Sequence, residues 1–242
     1  MVLADNSMIS QLLKQWKKAI KDGGVFKSPF RMRLKNTMIN DIVFTAVDLE
    51  LTSLDPSTTD ITSVGYVSGL SNKVNLSSCG YHVINTTADL GQSPVIHGLT
   101  HDVLEQGVML DEALASLCDA IQSSVLVFHN ASLDLKALDK AFRDHKFPPI
   151  DVIYIDTLQL ALYQLNKQHQ VLPNNSATLT VCRQRLDLPS FPEHNALDDA
   201  LATLQLFFAQ LQQLGVNSQD NLSVLLHTKA IGRYTLGSDT FK

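Results

Sequence analysis

The 242-residue chain is 45% apolar and 18% charged, with a formal charge of −5, a composition that excludes disordered and fibrous classes and suits a soluble domain with a sizeable core. Three cysteines, Cys79, Cys118 and Cys182, without close metal-type spacing argue against a disulfide framework or a zinc site and for a reducing compartment. No apolar run approaches the roughly 20 residues of a membrane span and no signal-peptide core opens the chain, so a cytoplasmic protein without a membrane partner is expected.

Charge is unevenly distributed. Residues 1–40 hold eight Lys/Arg against two acids (+6), and residues 41–242 hold eleven against twenty-two (−11). Within the basic part, SMISQLLKQWKKAIKDGG predicts an amphipathic helix. Ile9, Leu12, Leu13, Trp16 and Ile20 form one stripe, lysines occupy the rest of the cylinder, and Gly23 and Gly24 stop it. Two readings stand: a helix docked on the domain with its lysines in water, or an arm for nucleic acid, a polymerase or another protein partner. The basic segment FKSPFRMRLKN continues it, so residues 1–40 are set apart from a domain over 41–216, with 217–242 as a C-terminal tail.

Three strand-like runs follow, DIVFTAVDLEL, ITSVGYVSGL and VNLSSCGYHVI, and the short connection near Ser71–Lys73 predicts that the second and third pair as a hairpin. Helical periodicity marks Asp111–Ile121, Leu133–His145, Thr157–Leu165 and Ala196–Leu214. The apolar runs SVLVFHN and IDVIYID lie between them. Antiparallel strands followed by strands alternating with helices predict an α/β architecture, a mixed sheet of about five strands flanked by helices. NKQHQVLPNNS reads as a loop.

Three stretches carry candidate chemistry. In FTAVDLELTSLDP, Asp48 and Glu50 share one face of a strand, near an end marked by Ser53 and Asp55-Pro56. Two carboxylates held together destabilise each other unless a cation lies between them, and hard oxygen ligands suit Mg²⁺ or Mn²⁺. In VLVFHNASLDLKALDKAF, an apolar run meets His129-Asn130 and then a helix with Asp134 in its first turn, where an acid also serves as a helix-dipole partner. In FPEHNALDDALATLQLFFAQL, Asp199 adjoins the apolar face of a helix and His194 lies five residues earlier, within reach of a general-base role.

Together these stretches resemble the DnaQ-like (DEDDh) 3′–5′ exonuclease family, which includes the proofreading subunit of bacterial replicative DNA polymerase and ribonuclease T. The resemblance rests on Asp48-Leu-Glu50-Leu-Thr52, His129-Asn130-Ala131-Ser132-Leu133-Asp134 and His194-Asn-Ala-Leu-Asp198-Asp199, with VIHGLT (Val95–Thr100) and IDTLQLAL (Ile155–Leu162) as secondary matches. It spans about residues 42–214. It implies a ribonuclease H-like exonuclease fold and two divalent cations, Mg²⁺ or Mn²⁺, bridged by Asp48, with Glu50, Asp134 and Asp199 completing the ligands. His194 would be the general base, and nucleoside 5′-monophosphates would leave the 3′ end of DNA, expected to be single-stranded. Thr52, Ser53, Leu54 and His97 would bind the terminal nucleotide. Asn130 either joins them or orders the turn of its motif, and Asp198 is expected to face solvent or to support the ligands.

Two departures stand out. Leu51-Thr52-Ser53 replaces the family's Thr-Thr-Gly, which bears on how closely backbone approaches the terminal nucleotide, and Leu133 replaces a phenylalanine. An exoribonuclease acting on short RNA or tRNA ends is the alternative. A non-catalytic binding or adaptor module is a third, and its signature would be a missing motif acid.

Overall fold

The computed structural model describes residues 37–55, 58–86, 101–122, 124–167, 175–190, 192 and 194–238. The expected N-terminal amphipathic helix, His97 with the VIHGLT stretch, and most of the NKQHQVLPNNS loop lie outside the described residues. Strands β1 (Phe44–Leu51), β2 (Ile61–Leu70) and β3 (Lys73–Val83) are followed by helices α1 (His101–Glu105) and α2 (Leu110–Ile121). Then come β4 (Val125–Phe128), α3 (Ala131–Asp144), β5 (Ile150–Asp156), α4 (Thr157–Lys167), α5 (Leu179–Gln184), α6 (Ala196–Gln213), a 3-10 turn (Leu222–Thr228) and β6 (Ile231–Leu236).

The sheet order is β3-β2-β1-β4-β5-β6. β1, β2 and β3 pair antiparallel, β1, β4 and β5 pair parallel, and β6 returns antiparallel along β5. The mixed sheet is as expected, but it has six strands rather than five. The sixth comes from the segment beyond Val216, where a six-residue run with two polar positions carries a weak strand signal. β6 is fixed by pairing with β5 and by the Gly237 N–H donating to Asp139 Oδ1 of α3 at 2.7 Å. The expected β2–β3 hairpin turns through Ser71 and Asn72, both at positive φ (52° and 60°), the backbone that matches strand twist in a two-residue turn.

Alternation along β1 places its two rows in different layers. Val47, Leu49 and Leu51 are buried with Leu114, Leu117, Phe128, Leu135, Leu138 and Phe142, under α2 and α3. Phe44 and Ala46 point the other way, into a core with Ala200, Leu204, Phe207, Phe208 and Leu211 of α6. Phe44 meets Phe207 edge-on at 4.8 Å between ring centroids, a contact worth about 0.5–1.5 kcal/mol beyond the area it buries.

α6 runs antiparallel to β1 across the sheet. Near its C-terminal half Phe208 lies over Gly69, which pairs with Phe44. At its N-terminus the backbone rests on Gly65, the partner of Asp48. A Cβ on Gly65 would stand 2.1 Å from the Ala196 carbonyl carbon, so only glycine permits this approach. The helix therefore ends where the row of β1 changes from Phe44 and Ala46 to Asp48 and Glu50.

Candidate metal and catalytic centre

The crevice lies at the carboxyl ends of parallel β1 and β4, where β1 leads to β2 on one side of the sheet and β4 leads to β5 on the other, a position at which open α/β sheets characteristically bind ligands. β1 brings Asp48 and Glu50, the first half-buried and the second buried. The first turn of α6 brings Asp199. Carboxylate oxygens of Asp48, Glu50 and Asp199 lie within 4.8 Å of one another. From the other side of β1, the first turn of α3 brings buried Asp134. It stands outside that closest trio, yet its charge acts strongly on Asp48.

These acids hold protons more tightly than ordinary carboxylates. Burial and then the charges of Asp134, Asp199 and Glu50 push Asp48 well above the usual range. Burial, with Asp199, raises Glu50 to about 7. Burial raises Asp134 to about 8, against the opposing effect of hydrogen bonds from the backbone of Asp134 itself and of Leu49. Repulsion of this kind is relieved by a proton or by a cation. The all-oxygen donor set fits Mg²⁺ or Mn²⁺, and Asp48, Glu50 and Asp199 are placed to share an ion.

Local hydrogen bonding fixes each support. Asn130 takes a left-handed backbone (φ 70°) before α3, a conformation asparagine tolerates better than most residues. Its N–H and that of Ala131 donate to Asp156 Oδ1 and Oδ2 at 3.1 and 3.2 Å. Asp156 Oδ1 also accepts from Leu158 N–H at 2.9 Å, so one buried carboxylate at the end of β5 caps both α3 and α4. His129 is half-buried, and desolvation lowers its proton affinity. Its Nε2–H donates to the Ala177 carbonyl at 3.0 Å and Nδ1 meets Thr157 Oγ1 at 2.9 Å.

On the α6 side, Asn195 Oδ1 accepts from the N–H groups of Leu197 and Asp198 at 3.0 and 3.3 Å, the usual cap of a helix N-terminus. His194 precedes it, exposed, with φ 72°. Its backbone N–H donates to Asp199 Oδ2 at 3.0 Å, so His194 and the acid in the first turn of α6 are joined directly. Asp198 is half-buried beside the cap.

At the end of β1, Thr52 N–H donates to the Asp60 carbonyl at 3.0 Å and Thr52 Oγ1 accepts from Asp60 N–H at 2.9 Å. Ser53 N–H donates to Thr59 Oγ1 at 3.3 Å, and Ser53 Oγ accepts from Asp55 N–H at 2.9 Å. Ser53 is not among the residues at positive φ, so its backbone does not demand the glycine it replaces. Leu54 is 83% exposed, an apolar side chain free to meet a ligand.

Three supporting residues escaped the sequence reading. Gly65 could have been found as a glycine inside a strand, which marks close backbone approach. Tyr81 of β3 pairs with Gly65, and its phenol lies near Glu50, whose charge adds to burial in raising its pKa. No pattern on an edge strand announces that. Arg183 of α5, 4% exposed, sits in the charged run CRQR, which reads as a solvated surface.

Comparison with known proteins follows the same geometry. The Exonuclease family of ribonuclease T type matches residues 45–207. The chain is 27% identical over 198 residues to the PolC-type DNA polymerase III of Thermotoga maritima, covering 80% of this chain and 14% of that protein. It is 28% identical over 206 residues to the 3′–5′ exonuclease DinG of Staphylococcus haemolyticus, covering 82% of this chain and 21% of that one. It thus spans about a fifth or less of the length of these relatives. Among solved structures, the nuclease domain of 3′hExo, a DEDDh family member bound to rAMP, superposes with a TM-score of 0.60 at 14% identity, covering 77% of this chain and 98% of that one. The chain belongs to the ribonuclease T-type exonuclease family, the DEDDh 3′–5′ exonucleases that its three motifs resemble.

Proposed function

We propose that this site removes nucleoside 5′-monophosphates from the 3′ end of single-stranded DNA. The observation that carries the reading is the convergence of the Asp48, Glu50 and Asp199 carboxylates within 4.8 Å, an arrangement stable in ionised form only with a cation present. Asp48, Glu50, Asp134 and Asp199 would hold two divalent cations. When bound, such ions stabilise charge on the attacking and leaving oxygens of a phosphodiester displacement.

The chain's own groups divide the remaining work. His194, exposed at the rim, takes the proton of the attacking water on an imidazole nitrogen. The N-terminal end of α6 favours phosphate through its dipole. Thr52, Ser53, Leu54 and His97 receive the terminal nucleotide, with sugar and base held by backbone and apolar contact rather than by base-edge readout. Asn130 acts by shaping the turn that presents Asp134. Residues 1–40, with eight Lys/Arg, are the segment proposed to reach nucleic acid or a polymerase.

DNA is preferred because the PolC-type relatives are DNA polymerases. A second reading, RNA, is favoured by the rAMP bound to the structural neighbour. Parallel digestion of 5′-labelled single-stranded DNA and RNA of one sequence, with Mg²⁺ or Mn²⁺, separates them. Faster shortening of DNA from its 3′ end supports the proposal. Faster shortening of RNA replaces it with the exoribonuclease reading, and no cation-dependent shortening of either removes both.

A further inference from the structure

Ser63 of β2 is the direct cross-strand partner of Glu50 and is 0% exposed. Its Oγ has no hydrogen-bond partner among the described residues. Directly paired residues project to one face of a sheet, with Cβ atoms about 4.5–5.5 Å apart. The hydroxyl therefore shares the face of Asp48 and Glu50, and needs only to turn to reach the Glu50 carboxylate.

The backbone explains why this side chain stands there. Pairing slips between Glu50 and Leu51: Glu50 faces Ser63, Leu51 faces Ile61, and Thr62 is the extra residue of a bulge. Bulges re-aim side chains and are common beside active sites. Ile61 and Val64 both enter the core under α2 and α3, three positions apart where a regular strand allows only even spacing. Ser63 is left on the carboxylate side. The phenol of Tyr81, its diagonal neighbour on β3, comes near the hydroxyl but not into hydrogen-bonding geometry with it.

We infer that Ser63 is a positioning residue for the cation site. Its Oγ–H donates to the Glu50 carboxylate when that carboxylate holds a divalent ion, and so fixes which oxygen faces the ion.

A hydroxyl kept for packing alone does not fit these facts. Left unpaired in the interior it lowers stability, and alanine would fill the same strand position without that loss. An ionised carboxylate offers about four acceptor positions on its two oxygens, so one can meet an ion while another accepts from a hydroxyl. Carboxylates that bind metal are themselves hydrogen-bonded, and removing such a partner lowers metal affinity by about 10- to 100-fold.

The inference rests on the proposed function, in which Glu50 holds a divalent cation. Its test is Mn²⁺ binding by calorimetry, with metal-free melting alongside, in wild type, Ser63→Ala, Glu50→Gln and the double variant. Ser63→Ala should bind Mn²⁺ about 10- to 100-fold more weakly. Its metal-free melting temperature should be no lower than that of wild type, because the unpaired hydroxyl is gone. In the Glu50→Gln background the same substitution should change affinity by less than about twofold, since the hydroxyl acts through that carboxylate. Ser63→Cys, which fills the position but offers only a weak donor, should weaken binding as well.

An affinity in Ser63→Ala within about twofold of wild type overturns this inference alone. So does a full loss in the Glu50→Gln background, a wild-type affinity in Ser63→Cys, or a lowered metal-free melting temperature in Ser63→Ala. Absence of Mn²⁺ binding in wild type overturns the cation site of the proposed function together with it.

Discussion

Two regions meet at the site, and they are held by different forces. Asp48, Glu50 and Asp134 stand on a central strand and a core-packed helix. Their neighbours Val47, Leu49, Leu51 and Leu135 are all buried, and each such side chain contributes about 1.5–3 kcal/mol of burial. His194 stands exposed just before α6, where its backbone N–H is bound to Asp199 and the Asn195 cap follows it. The acids are therefore positioned by the same burial that makes the fold, while the histidine is positioned by polar contacts that could be lost with the core intact. Changes among the acids should trade activity against stability, and changes in the loop should cost rate alone.

The sharpest break in that comparison is Asp48→Asn. Cation-dependent nuclease activity should fall below detection, because the acid shared by every neighbour loses its charge. The metal-free variant should melt at a higher temperature than wild type, since an amide spares the site a carboxylate whose ionisation is disfavoured by burial and by the charges of Asp134, Asp199 and Glu50. A lower melting temperature would mean that the carboxylates are not under mutual strain.

On the loop side, His194→Ala should cost about 10²-fold in kcat, the usual size of a general-base contribution. Its melting temperature should stay within error of wild type, as the side chain is exposed. A loss of stability comparable to that of a core variant would dissolve the distinction.

Gly65→Ala tests the seam between the regions. The added Cβ meets the α6 backbone at 2.1 Å, and overpacking of this kind costs about 1–3 kcal/mol. Denaturant unfolding should register that cost, and activity should drop because the N-terminus of α6 carries Asp199. An unchanged unfolding midpoint would contradict the seam.

pH gives the gentlest probe. Glu50 and Asp134 titrate near 4.5 and 3.8 when unperturbed, but near 7 and 8 in the folded chain. Between these values the folded state keeps protons that the unfolded state has released. Metal-free stability is therefore fully favoured near pH 4, falls as pH rises, and levels off above about 8. Melting curves from pH 5 to 8, with chelator present, should show this decline, and Mg²⁺ should reverse it.

Much of the acid region was legible in the sequence, and less of the loop region. Period-two alternation around Asp48 and Glu50 told which side chains share a face, and the apolar stripe from Ala196 to Leu211 told where α6 packs. The turn residues Ser71 and Asn72 marked the hairpin. β6 escaped because Ile231–Leu236 is short and its partner, β5, lies far away in sequence, so pairing rather than local propensity makes it a strand. α5, six residues long, is below the length at which helical periodicity becomes readable. Arg183 and Tyr81 meet partners brought near by tertiary structure, and nothing in their neighbours along the chain encodes those contacts.

Divalent-cation binding to the metal-free protein, measured by calorimetry with Mn²⁺ at pH 6 and pH 8, tests the division between the two regions most directly. The acids should hold the ion in wild type and in His194→Ala alike. Affinity should rise from pH 6 to pH 8 as Glu50 and Asp134 give up their protons to the metal, and Asp48→Asn should lose it. A pH-independent affinity, or loss of the ion in His194→Ala, would contradict a cation site built by the core-anchored carboxylates and served by a loop-borne histidine.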